Sequence, residues 1–112
     1  MYCIANISNL ADMPEFDFVP TIDRIIVIAC RLFQVKPHEI RSPRRSTGVV
    51  RARHAVFWAV AEATEMSYPE IGRRIGRDHT TVLYGVQRAE SMRHDDEQYR
   101  VKTDQLLRQV GG

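Results

Sequence analysis

The sequence predicts an all-α domain of about six helices organised around a helix-turn-helix. Three observations predict it. Apolar residues recur at spacings of three and four in every long segment. Residues that start and stop helices fall at the edges of those segments. One stretch, Ser67 to Arg88 (SYPEIGRRIGRDHTTVLYGVQR), holds two short helical patterns separated by a single glycine.

The chain has 112 residues, 44% of them hydrophobic, which is room and material for one helical core. No apolar run reaches the length of a membrane span, so no membrane partner is expected. The N-terminal stretch MYCIANISNLADMPEF lacks the basic and apolar regions of a secretory signal. Cys3 and Cys30 are the only cysteines, which points to a reduced, cytoplasmic protein without a disulfide framework. His38, His54, His79 and His94 match no zinc spacing with them, so no metal is expected. There is no G-x-x-x-x-G-K-[ST] loop, no GxGxxG and no nucleophile–base constellation. The expectation is therefore a non-enzyme with no cofactor and no small-molecule substrate.

The net charge of +2 conceals an asymmetry. Residues 20–94 carry 13 Lys/Arg against 7 Asp/Glu, whereas residues 1–19 carry three acids and no base. A basic centre suits a polyanionic partner.

Residues 1–19 read as a poorly ordered acidic arm, with Pro14 and Pro20 bracketing EFDFV. Such an arm is a docking peptide, a mask over the basic face, or a frayed terminus. The helical domain then occupies 20–112. Thr21 to Gln34 reads as a helix with Thr21 as N-cap and Asp23 in its first turn. Its stripe of Ile22, Ile25, Ile26, Ala29, Leu32 and Phe33 is expected to face the core. Pro37 to Arg41 reads as a short helix with Ile40 inward.

Ile40 to Ala61 contains no acidic residue but carries Arg41, Arg44, Arg45, Arg51 and Arg53. Pro43, Ser46, Thr47 and Gly48 are expected to keep its first half out of helix. A basic loop ahead of a helix suits phosphate contacts and can enter a narrow minor groove. Arg51 to Glu65 follows as a helix with a small-residue face (Ala52, Ala55, Val56, Ala59, Val60, Ala63), and Trp58 is expected in the core or at the domain edge.

In the central motif, Ser67 is a plausible N-cap and Pro69 falls where a missing N–H costs nothing. Ile71 and Ile75 share a face, Gly72 permits a close approach, and Gly76 ends the helix. Asp78 caps the second helix, whose core face is Val82, Val86 and Ala89. Its first turn offers His79, Thr80 and Thr81. In a helix-turn-helix this position meets base edges in the major groove. Aspartate accepts from cytosine, a threonine methyl packs on thymine, and histidine serves either a purine acceptor or a thymine methyl. The residues alone also allow a plainer reading, in which Asp78 only caps and the threonines only start a helix. Arg88, about two turns beyond Thr81, is placed to reach a phosphate. Asp95, Asp96 and Glu97 suit the start of a last helix, with Val101 and Leu106 or Leu107 closing the core.

The run YPEIGRRIGRDHTTVLYGV closely resembles the C-terminal DNA-binding domain of the bacterial replication initiator DnaA, above all in RDHTTV at Arg77 to Val82. The likeness takes in RRSTGVVRARHAV at 44–56 and extends weakly from about Thr21 to about Val110. That family usually has two glycines before RDHTT; this chain has Gly76 alone, a turn one residue shorter. The resemblance implies a Trp-repressor-like fold and sequence-specific binding of double-stranded DNA at DnaA-box-like sites, acting in replication initiation or transcription without ATPase activity. It implies Arg77, Asp78, His79, Thr80 and Thr81 in the major groove, Arg45 in the minor groove, and Arg44, Arg53 and Arg88 on phosphates. It also implies host replication proteins as partners and a nucleoid-associated, cytoplasmic location. A different class stays open: an interaction protein whose basic face docks an acidic partner and whose DNA affinity is incidental.

Overall fold

Capping and apolar spacing sort the chain into helices much as the sequence suggests. The computed structural model describes residues 21–43 and 45–111, so the acidic arm at 1–19 and Arg44 lie outside the described residues. Among the described residues there are six helices and no strand. They are α1 (Thr21–Phe33), α2 (Pro37–Arg41), α3 (Thr47–Ala63), α4 (Tyr68–Ile75), α5 (His79–Asp95) and α6 (Glu97–Gly111).

Helix α3 is the centre, with α1 and α5 packed on it and α6 closing the far side. Its Ala52, Ala55, Val56, Ala59 and Val60 are fully buried. Small side chains there let neighbouring helices approach closely. Gly85 of α5 uses that closeness: a Cβ at this position would lie 2.4 Å from the Phe57 ring. The α1 stripe does face the core, with Ile22, Ile25, Ile26 and Ala29 buried and Leu32 and Phe33 packed against them. Trp58 is buried, and the Arg93 guanidinium lies 4.4 Å from its ring centroid.

Three expectations need correction. Helix α1 stops at Phe33, and Gln34 takes a left-handed conformation (φ 59°) as the chain turns towards α2. Helix α3 begins at Thr47, four residues earlier than Arg51, so Thr47 and Gly48 are helical. Ser46 supplies the first carbonyl, accepting from Val50 N–H at 2.9 Å, and burial of Val49 draws that turn onto the core. A glycine in a first turn removes no side-chain contact, because no atom lies within 4 Å of a Cβ built at Gly48. Finally, Val101 is 45% exposed rather than buried. The inward positions of α6 are Tyr99, Thr103 and Leu106. Val101 follows Tyr99 by two residues, which on a helix is roughly the opposite side. Tyr99 donates its hydroxyl to the Arg51 carbonyl at 2.9 Å, and burial pushes its pKa upward.

Candidate nucleic-acid interface

The helix-turn-helix is formed by α4 and α5, and local chemistry sets its turn. Ser67 Oγ accepts from Glu70 N–H at 3.3 Å and opens α4. Gly76 ends it in the left-handed region, with φ 89°. The Gly72 carbonyl then accepts from two amides, Gly76 N at 2.7 Å and Arg77 N at 2.8 Å. Gly72 also makes the close approach its small size suggested, towards the turn itself. A Cβ there would sit 2.2 Å from the Arg77 carbonyl oxygen.

Asp78 caps α5 by accepting from Thr81 N–H at 3.0 Å on Oδ1. The same oxygen accepts from the Thr80 hydroxyl at 2.6 Å. These bonds, the Thr80 hydroxyl first, hold the Asp78 carboxyl below its ordinary pKa. Asp78, His79, Thr80 and Thr81 are all exposed, so the first turn of α5 presents its polar groups to solvent.

Beside that turn runs an open groove of about 820 Å³ between Pro43 and Arg45, the first half of α3 and the outer face of α5. Arg45, Arg51, Arg53, His54, Arg77, Thr81, Tyr84 and Arg88 are among the residues lining it, and none of its lining residues is acidic. The structure thus brings together Arg45 from the basic loop and Thr81 and Arg88 from α5, residues far apart in sequence. Among the described residues, no hydrogen bond or ion pair engages the Arg45 or Arg88 side chain.

Two residues expected at the DNA are placed differently. Arg53 is buried, 7% exposed, and its guanidinium faces inward. Its Nε donates to the Ile40 carbonyl at 2.8 Å, and its Nη2 to those of Glu39 at 3.0 Å and Ser42 at 2.8 Å. A cation with these partners stabilises the end of α2. Arg77 is half-buried and donates to the carbonyls of Arg41 (3.3 Å), Gly76 (3.1 Å) and Ser42. It immediately precedes the Asp78 cap and lines the groove with part of its side chain. Arg44 lies outside the described residues.

Among the lining residues that the sequence reading did not assign to the site are Tyr84, His54 and Arg51. Tyr84 is 59% exposed, four residues after Thr80 and four before Arg88, so helical spacing alone could have placed it on this face. His54 meets it edge-on, with ring centroids 6.0 Å apart. Burial, then the charges of Arg88 and Arg53, lower the His54 pKa to about 4. Arg51 is partly engaged, paired with Asp96 at 2.9 Å and 5.1 Å from the Tyr99 ring centroid.

Residues 22–89 match the family model described as bacterial DnaA protein helix-turn-helix. Among similar proteins is the chromosomal replication initiator protein DnaA of Caulobacter vibrioides (strain NA1000 / CB15N). It is 39% identical over 93 residues, covering 82% of this chain and 19% of that protein. The DnaA of Sphingopyxis alaskensis is 40% identical over 77 residues, covering 68% of this chain and 17% of the relative. That of Rhodopseudomonas palustris (strain HaA2) is 39% identical over 90 residues, covering 80% and 19%. The chain therefore spans about a fifth of the length of these relatives.

Proposed function

The chain belongs to the bacterial DnaA helix-turn-helix family, a class of DNA-binding domain, and from that premise we propose that it binds double-stranded DNA specifically at DnaA-box-like sites. The observation that carries the proposal is the groove. One continuous basic surface joins the exposed first turn of α5 to the loop that bears Arg45.

In this reading the start of α5 enters the major groove. Asp78, His79, Thr80 and Thr81 meet base edges there. Arg45 reaches the adjacent minor groove, and Arg88 and Arg44 hold phosphates. Tyr84 adds a hydroxyl to the same groove as Arg88. Arg53 and Arg77 take no direct part. The proposed role of this domain is occupancy of a site. Occupancy would compete with an initiator for its boxes and alter initiation or transcription nearby. It would place the protein in the cytoplasm on the nucleoid, with host replication proteins as neighbours. Among the described residues no helix is long and apolar enough to cross a membrane.

The test is a mobility shift with a DnaA-box duplex against a scrambled duplex of equal composition. Preference for the box by tenfold or more is expected, on the order of 1.4 kcal/mol. Equal affinity would remove sequence-specific reading and favour an interaction protein with incidental DNA affinity. A second assay adds the protein to origin unwinding by a full-length initiator. Inhibition in proportion to box occupancy is expected, and stimulation would overturn competition.

A further inference from the structure

We infer that Arg77 and Arg53 are positioning residues that tie the minor-groove loop to the recognition helix through the carbonyl group of Ser42. The inference rests on the DNA-binding reading above.

Both guanidinium groups donate to that one oxygen, Arg53 from α3 and Arg77 from the α4–α5 turn. Ser42 is the residue from which the basic loop departs, three positions before Arg45. Arg77 is the residue just before the Asp78 cap of α5. A single guanidinium thus spans from the start of the loop to the start of the recognition helix. The remaining donors fasten the rest of the α2 end. Arg53 takes the carbonyls of Glu39 and Ile40, and Arg77 takes that of Arg41. Arg41 closes the set by donating to the Arg74 carbonyl of α4 at 2.7 Å.

The chemistry favours arginine here. The last carbonyls of a helix have no partner within it, and their dipoles attract cations. A guanidinium is a rigid fork that can serve two carbonyls at once, whereas an ammonium is a point donor on a flexible stem. If the loop is held this way, Arg45 depends on Arg77 although the two need never touch. Without the clasp, the loop loses its fixed distance from α5, and ordering it on DNA opposes binding.

The test is a double-mutant cycle on box DNA with Arg45→Ala and Arg77→Gln. In the unaltered protein Arg45→Ala should weaken binding about tenfold. In the Arg77→Gln background the same change should weaken it no more than about threefold, because the loop is already unplaced. Full multiplication of the two losses would overturn the inference in favour of an independent DNA contact by Arg77. Thermal melting checks that Arg77→Gln is folded; if it is not, Arg77→Lys carries the same cycle. An observation without DNA separates this idea from the functional reading. Backbone NMR order parameters at Arg45 and Ser46 should fall in the Arg77 variant, and unchanged values would overturn the clasp even if box binding holds.

Discussion

His54 lies where core and groove meet, and it makes the clearest pH prediction. Its Nδ1 is buried without a hydrogen-bond partner, and its pKa falls to about 4. An unfolded histidine takes up its proton near 6.5. Between those values the unfolded chain binds more protons, so stability rises with pH. The contribution is complete above about pH 6.5 and is lost as pH falls towards 4. Urea unfolding at pH 7 and pH 4.5 should show a drop that His54→Gln reduces by roughly 2–3 kcal/mol. An equal drop in both proteins would mean that His54 titrates alike in the folded and unfolded chain. Asp78 poses a different question, because the sequence left it as either a cap or a base reader. The cap is present, on Oδ1. Asp78→Ser keeps a capping oxygen on a shorter side chain, so stability should change by only a few tenths of a kcal/mol. If Asp78 also reads a base, preference for the box should fall by roughly 1–3 kcal/mol. Unchanged preference would leave the cap as its whole role. At this scale, residue type and spacing marked the exposed quartet of α5. They did not mark Arg53 and Arg77 as internal, because a cation in a basic run looks the same whether it meets a phosphate or a carbonyl. Only the fold brings the end of α2 alongside them.

At the scale of elements, the glycines separate contacts that must be close from those that need not be. Gly72 holds the α4–α5 turn, where a Cβ would meet the Arg77 backbone oxygen at 2.2 Å. Backbone cannot swing aside as a side-chain end can. Gly72→Ala should therefore cost about 1–3 kcal/mol in stability, and it should displace the start of α5 enough to lose box preference. Gly48 is the contrasting case, helical and open, with nothing within 4 Å of a built Cβ. Gly48→Ala should stabilise α3 by about 0.4–1 kcal/mol through the entropy of the unfolded chain. Thermal melting of the two variants checks both signs. The same pair explains what the sequence made legible. Ser46 and Gly48 in one place, and Gly72 and Gly76 in the other, punctuate the chain. At Gly76 a positive φ stops the helix. At Gly48 the next inward residue, Val49, is buried 96% and pulls the turn into α3, so tertiary packing overrides the local signal. Val101 failed for the opposite reason: it is apolar, but two residues out of phase with Tyr99, Thr103 and Leu106.

At the scale of the whole molecule, the number of cations available to DNA is smaller than the basic composition suggests. Five arginines line the groove. Arg53 and Arg77 are bonded to carbonyls of the α2 end, and Arg51 is paired with Asp96. Arg45 and Arg88 remain, and Arg44, next to Arg45 in sequence, brings the expected set to three. Each phosphate neutralised releases counterions and contributes about 0.9 to the slope of log K against log salt. Three contacts give a slope of roughly −3, so affinity should fall about sixtyfold between 50 and 200 mM salt. Counting all the groove arginines with Arg44 would give a slope steeper than −5. The measurement is a titration of box DNA at four or more salt concentrations. A slope near −3 in the unaltered protein, flattened by about one on Arg88→Ala, supports the division between internal and DNA-facing arginines. A slope near −5 would mean that Arg53, Arg77 and Arg51 exchange their internal partners for phosphates on binding. That would turn the end of α2 from a fixed clasp into a part that opens when DNA arrives.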